Sequence, residues 1–125
     1  MSGFYTHIER DTVNNGAFRN VIFTGKNCQL VLMTLLPKED IGMEIHQEND
    51  QFFRFESGEG RVLMDGQEYL VRDGDAIVIP AGTEHNIINT SDTESLKMYT
   101  IYSPAHHPDK TIHLTKADAL AAEHD

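Results

Sequence analysis

One stretch of the chain, residues 74–89, constrains the fold more than any other part. It contains the short β-branched run 77–79, which ends at Pro80. Proline cannot donate to a sheet ladder, so a strand must close there. Gly82 then permits a tight turn, and His85 opens the β-branched segment that follows. The stretch therefore predicts a strand, a tight turn and a second strand that begins at a histidine.

The rest of the sequence repeats this pattern of short β-rich runs between turn residues, and helical periodicity is nearly absent before the end. The pair Asp65 and Gly66 is the clearest hairpin signal, because it suits a two-residue turn with positive φ. Thr115, with Asp118 three residues later, resembles a capping box and predicts a short C-terminal helix. The predicted strands are 18–24, 29–36, 41–46, 51–56, 61–64, 67–71, 76–79, 85–90 and 96–102. The pattern is typical of an all-β barrel or sandwich.

Length and composition narrow the class of protein. The length of 125 residues suits one domain over 1–125, with a barrel at about 29–102 and a tail over 103–125. The formal net charge of −10 disfavours nucleic acid and anionic membranes as partners. The single cysteine, Cys28, excludes an internal disulfide and suits a reducing compartment. Neither a signal-peptide core nor a membrane-spanning apolar run is found, so the expected location is the cytoplasm.

Residues 74–89 resemble the second conserved motif of the cupin superfamily, in which glycine, proline, glycine, histidine and asparagine stand at fixed spacings. The five positions are filled here by Gly74, Pro80, Gly82, His85 and Asn89. The resemblance is to small single-domain cupins of the group similar to mannose-6-phosphate isomerase. It implies an all-β double-stranded β-helix, or jelly-roll barrel, with the histidine at its mouth.

The other cupin motif, two histidines and a glutamate further upstream, is present here in a substituted form. Counting back from Gly58 places Gln51 at the glutamate position, His46 at the second histidine and Glu44 at the first. The two-residue period of a strand supports this register, since Glu44 and His46 would share one face. An alternative register makes His46 the first ligand and Glu48 the second, and the sequence leaves both open.

The resemblance implies that Glu44, His46, Gln51 and His85 bind a divalent metal ion. Two imidazoles with oxygen donors and no thiolate suit Fe, Mn, Ni, Co or Zn. Gln51 is neutral where a carboxylate is usual. The ion should therefore bind less tightly and keep more net positive charge with which to polarise a substrate oxygen.

The first hypothesis for function is accordingly a metal-assisted isomerase or tautomerase of a small polar metabolite, a sugar or a keto acid. An Fe(II)-dependent dioxygenase is the second, because two histidines and one carboxylate are its ligand types. Non-catalytic binding of a small molecule is the third. Tyr99 and Tyr102 are candidates for a general base, while His106 and His107 are interpreted as exposed loop residues. The resemblance also implies a homodimer.

Overall fold

The structure is a computed structural model that describes residues 2–123 of the chain. It consists of short antiparallel strands with one short helix near each end. The elements are, in chain order, α1 (Ile8–Asn14), β1 (Arg19–Thr24), β2 (Gln29–Leu35), β3 (Asp50–Ser57), β4 (Glu59–Met64), β5 (Gln67–Arg72), β6 (Ala76–Ile79), β7 (His85–Asn89), β8 (Leu96–Ser103), β9 (Ile112–His113) and α2 (Lys116–Glu123).

The strands form two sheets that face each other. The larger sheet has six strands in the order β6-β3-β8-β2-β1-β9, and the smaller has three in the order β5-β4-β7. The β4–β5 hairpin turns at Asp65 and Gly66, whose φ angles of 52° and 78° are the positive values expected of that pair. The predicted all-β barrel architecture is therefore confirmed.

The core lies between the two sheets and is built by alternation along each strand. On β3, Gln51, Phe53 and Phe55 are buried, whereas the residues between them are only half-buried. The same alternation on β8 turns Met98, Thr100 and Tyr102 inward. A polar amide and a phenol thus lie at one end of an otherwise apolar interior.

The strand predicted over 41–46 is wrong. The segment makes only two isolated bridges, Asp40 with Ile88 and Glu44 with His85, along the free edge of β7. Gly42 has a φ of 105°, outside the β region, so the chain bends there and a continuous ladder cannot form. Of the aliphatic side chains of this segment, Ile41 packs against the core, whereas Met43 and Ile45 are exposed and do not pack between the sheets as a strand face would.

Two elements near the ends were not predicted. The seven-residue helix α1 is capped by His7, whose Nδ1 accepts a hydrogen bond from the Arg10 amide at 3.2 Å. Histidine is not among the preferred capping residues, so the sequence signal was weak. Glu9 and Asp11 in the first turn were the remaining clue. The strand β9 is too short to leave a pattern.

The C-terminal tail folds back over its own barrel. Helix α2 begins as predicted, with the Thr115 hydroxyl accepting a hydrogen bond from the Asp118 amide at 3.1 Å. Ala119 is buried in the core, and Lys116 forms an ion pair with Asp40 at 2.5 Å. Within residues 2–123, neither helix has the length and apolar character needed to cross a bilayer.

Candidate metal centre

Backbone hydrogen bonds, and not a strand, position Glu44 and His46. The amide and carbonyl of Glu44 exchange hydrogen bonds with those of His85 at 2.8 and 2.9 Å. The carbonyl of His46 accepts a hydrogen bond from the Gly82 amide at 2.9 Å. The turn that follows Pro80 therefore brings His46 and His85 together, and their ring centroids are 5.4 Å apart.

His85 is oriented by its own turn. Its Nδ1 lies 2.9 Å from the carbonyl oxygen of Thr83, so Nδ1 carries the proton and the lone pair is on Nε2. Burial lowers the pKa of His85, and the repulsion of His46 adds to this, against the opposing effects of the Thr83 carbonyl and Glu44. The ring is therefore neutral at neutral pH, which is the form that binds metal ions.

The carboxylate of Glu44 lies against His46, with 3.2 Å between Glu44 Oε2 and His46 Nε2. Burial opposes the ionisation of Glu44, but contact with His46 outweighs it, and its pKa is lowered overall. The contact is an electrostatic approach without hydrogen-bond alignment, so the buried Nε2 of His46 has no hydrogen-bond partner among the described residues. A buried nitrogen in this state is costly unless something accepts or donates to it.

Gln51 supplies the second unpartnered atom. Its side chain is 3% exposed, and its Nε2 donates to the hydroxyl of Thr100 at 3.1 Å. This bond fixes the amide, and it leaves the buried Oε1 without a hydrogen-bond partner among residues 2–123. A carbonyl oxygen with both lone pairs free is a hard-cation ligand.

The donor set fits a divalent ion. Within residues 2–123, no three His, Cys, Asp or Glu side chains form a group able to hold a metal by themselves. Glu44, His46 and His85 therefore need a further donor, for which the unpartnered amide oxygen of Gln51 is the candidate. Ligand bonds of about 2.0–2.2 Å in a tetrahedral arrangement place two donor atoms about 3.4 Å apart. That is close to the 3.2 Å between Glu44 Oε2 and His46 Nε2.

The structure distinguishes the remaining residues that the sequence analysis proposed as a metal ligand or a general base. Glu48 is exposed and does not contact the imidazoles, whereas Glu44 does, so the geometry favours the first register. Tyr99 lies on the outer face of β8, 6.1 Å from the ring of Phe52, away from the site. Tyr102 lies inward, with its ring 5.7 Å from that of His46. Burial raises the pKa of Tyr102 far above its ordinary value of 10.0, so the phenol keeps its proton.

Both histidines lie in a loop as predicted, and His106 is exposed, but His107 is half-buried and His106 is packed against the site. The ring of His106 lies 4.3 Å from that of His46 and stacks on Tyr102 at 5.3 Å. The loop is held there by Gln29, which is fully buried and whose Oε1 accepts hydrogen bonds from both histidine amides at 3.1 and 3.0 Å. Gln29 also donates to the His107 carbonyl at 2.7 Å. Its burial inside an apolar strand is the feature that the sequence could have flagged.

A family model described as cupin domain matches residues 31–102. The chain belongs to the cupin domain family. The cupin is 51% identical over 126 residues to the uncharacterised protein YrkC of Bacillus subtilis, an alignment that covers 96% of this chain and 67% of the relative. It is 48% identical over 108 residues to an uncharacterised protein of Acanthamoeba polyphaga mimivirus, with coverage of 84% and 68%.

A solved structure from Bacillus halodurans is similar throughout. It is 45% identical, has a TM-score of 0.93, and the alignment covers 96% of this chain and 95% of that one. The similarity therefore extends beyond the cupin barrel to the terminal helix and the tail. Those are the parts that place His106 beside the candidate metal centre.

Proposed function

We propose that this cupin is a divalent-metal-dependent enzyme that isomerises or tautomerises a small polar metabolite, a sugar or a keto acid, by enolisation. The single observation that carries the proposal is the buried Gln51 Oε1, which has no hydrogen-bond partner among residues 2–123, together with His46 Nε2, whose contact is the Glu44 carboxylate at 3.2 Å. They lie with Glu44 and His85 at the same end of the barrel. Buried polar atoms in native proteins are nearly always satisfied, so atoms without a partner in the chain indicate an external one.

A bound ion would supply Lewis-acid polarisation of a substrate carbonyl oxygen. Among the residues of the chain, Glu44 would contribute the one negative charge and Gln51 would contribute none. The net positive charge at the centre would therefore be larger than with two carboxylates. This balance favours stabilisation of an anionic, enolate-like transition state.

Enolisation also needs a group that accepts a proton from carbon. His106 is the residue whose position suits this role, because its ring is next to His46 and the side chain is open to solvent. Tyr102, whose phenol stays protonated, suits a hydrogen-bond donor and not a base. His106 would take the proton on an imidazole nitrogen and exchange it with water.

The metal part of the proposal is tested by calorimetric titration of chelator-treated protein with Mn²⁺, Ni²⁺ and Zn²⁺. We expect one ion per chain for the native protein. His85→Ala should weaken the affinity at least about 100-fold, more than the loss of a supporting hydrogen-bond partner typically does. His7→Gln, at the exposed histidine that caps α1, is the matched control and should bind normally. Stoichiometric, undiminished binding by His85→Ala would overturn the assignment.

The reaction is tested by proton exchange, which does not require the product to be known. Metal-loaded protein is incubated in D₂O with candidate sugars and keto acids, and deuterium at the carbon next to the carbonyl is followed by NMR. His106→Gln should lower the exchange rate about 10²–10⁴-fold while metal affinity is unchanged. If His106→Gln instead loses the metal, the residue is a ligand and its role as base is excluded.

The dioxygenase alternative has one observation in its favour, the carboxylate of Glu44 together with the imidazoles of His46 and His85. Gln51 opposes it, because a fourth protein donor occupies a position that oxygen or substrate would use. Anaerobic loading with Fe²⁺ followed by oxygen uptake with the same substrates separates the two. Uptake that depends on substrate, without deuterium exchange, would favour the oxygenase. Binding with neither reaction would favour a non-catalytic role.

A further inference from the structure

Arg19 is a buried cation with few partners. It begins β1 on the inner side of the sheet and is 3% exposed. Its Nη1 lies 3.1 Å from Nδ1 of His113, and its Nε has no hydrogen-bond partner among residues 2–123. In that same range, no carboxylate oxygen is within ion-pair distance of the guanidinium.

A guanidinium in this position is expensive to bury. An ionised group removed from water is normally paired with a counter-charge, because its lost hydration is otherwise not replaced. The nearest compensation is the ring of Phe18, whose centroid is 5.3 Å from the guanidinium carbon, and such contacts contribute only about 1–2 kcal/mol. Glu44 attracts Arg19 electrostatically from farther away. Among residues 2–123, therefore, no anion is directly bonded to the guanidinium.

Space for such an anion lies beside the guanidinium. A cavity of about 230 Å³ is lined by Arg19, His106, His107, Thr111 and His113, with Glu123 also in its wall. At about 30 Å³ per water molecule this is room for several waters, or for one small oxyanion with its hydration. The cavity lies between the loop at 106–111 and helix α2 and is partly open to solvent.

The histidines of the cavity are suited to donate hydrogen bonds without adding charge. Burial, and then the repulsion of Arg19, lowers the pKa of His107 to about 3 and lowers that of His113. Both rings are therefore neutral at neutral pH. Because Nδ1 of His113 accepts from Arg19, its proton is on Nε2. The cavity thus combines the positive charge of Arg19 and neutral imidazoles with the carboxylate of Glu123 in its wall.

We propose that Arg19, with His107 and His113, forms a binding site for a small oxyanion, the carboxylate or phosphate group of an acidic metabolite. A guanidinium recognises such groups through its fork of N–H donors. His106 links this site to the metal centre, since it lines the cavity and its ring is 4.3 Å from that of His46. The proposal that this site binds an anion does not depend on the proposed function. The further statement that the anion is part of the substrate does rest on it.

The net charge of −10 makes the site easy to test, since the protein as a whole repels anions. Metal-free, ¹⁵N-labelled protein is titrated at constant ionic strength with inorganic phosphate and, separately, with acetate. The Nε–Hε resonance of Arg19, which has no partner within the chain described, reports directly on the site. We expect a saturable shift of this resonance with at least one probe. The tighter of the two probes identifies the anion class.

Variants separate binding from folding. His113→Phe removes the ring nitrogens of that residue. It should weaken anion binding at least about tenfold, because a charge-assisted hydrogen-bond network is lost. Arg19→Lys keeps the charge but loses the fork and should also weaken it. Arg72→Met, at an exposed arginine on β5, should bind as the native protein does. If the Arg19 resonance moves with neither probe in the native protein, the proposal is wrong, whatever the metal experiments give.

Discussion

Gln51 is the residue that most distinguishes this candidate centre. Its amide is held by Thr100 at 3.1 Å, which leaves Oε1 and not Nε2 directed away from that bond. An amide flipped the other way would present N–H groups, which cannot bind a cation. In the orientation that the structure shows, Thr100 takes the Nε2 end of the amide and Oε1 is left to bind a cation, although nothing in the local sequence links residues 51 and 100.

A substitution at Gln51 tests this directly. Gln51→Glu adds a negative charge, so the metal dissociation constant should fall at least about tenfold. In the metal-free protein the same change buries a charge and should lower the free energy of unfolding by roughly 1–3 kcal/mol. Titration calorimetry and urea unfolding measure the two effects. Gln51→Met, similar in volume and without a strong donor, should weaken metal binding. Equal affinities for both variants would exclude Gln51 as a ligand.

His106 illustrates how a residue that is correctly predicted to be exposed can still lie beside a site that the sequence does not assign to it. A histidine in a proline-flanked loop is usually solvated, and the sequence interpretation followed that rule. The loop is instead pinned by Gln29, which is 77 positions away from His106 in the chain. No local pattern carries that information, because a side-chain bond to a loop amide depends on how two distant segments pack.

At the scale of elements, the segment over 41–46 shows how a site can be built without a strand. The predicted alternation of Glu44 and His46 is retained, since both side chains reach the same site. The hydrogen bonds that hold them come from His85 and Gly82 instead of from a continuous ladder. A strand would be hydrogen-bonded to its neighbour at every second residue. The irregular segment is hydrogen-bonded at only a few points, which allows both side chains to turn inward.

The turn between β3 and β4 lies close to the chain that enters β8, the neighbour of β3 in the larger sheet. Gly58 has a φ of 95°, and a Cβ there would lie 2.4 Å from the carbonyl oxygen of Ser95. Gly58→Ala should therefore lower the free energy of unfolding by more than about 3 kcal/mol, from backbone strain together with overpacking. Circular dichroism during urea unfolding measures the change.

The control is a glycine with the same conformation and open surroundings. Gly66 has a φ of 78°, and nothing lies within 4 Å of a Cβ placed there. Gly66→Ala should lose only about 1 kcal/mol, the cost of the left-handed conformation. Similar losses in the two variants would mean that the chain near Ser95 relaxes and that no close approach is enforced.

At the scale of the whole molecule, the packed imidazoles should make the metal-free protein sensitive to mild acid. The pKa values of four histidines are lowered, each chiefly by burial, and the largest shift takes His107 from 6.5 to about 3. The four are His85, His106, His107 and His113. Each is neutral when folded but takes up a proton near 6.5 when unfolded. Their contribution is complete above that pH and is lost as the pH falls toward the folded values.

Carboxylates do not interfere in the upper part of this range. Glu44 and Asp40 have pKa values lowered from 4.5 and 3.8, so their contribution is complete above those values and is lost only below them. Urea unfolding at several pH values between about 6.5 and 5 should therefore show that the free energy of unfolding decreases as the pH is lowered. His107→Gln should flatten the slope. A native protein whose stability is constant over this range would contradict the burial of these rings.

The sequence by itself determined the fold class and the row of inward-facing side chains. Both depend on local rules, the two-residue period of a strand and the backbone freedom of glycine at turns such as Gly66 and Gly82. These rules act within a few residues and can be read from the chain directly. They also placed Glu44, His46, Gln51 and His85 at the ends of predicted strands.

Only the tertiary structure decided which of these groups meet and what surrounds them. Three features depend on how the two sheets and the tail pack: the approach of His46 to His85, the return of the loop that carries His106, and the burial of Arg19. Distances between segments far apart in sequence are set by the sum of many weak contacts. The alternation of a strand gives the face on which a side chain lies, and packing gives its neighbours.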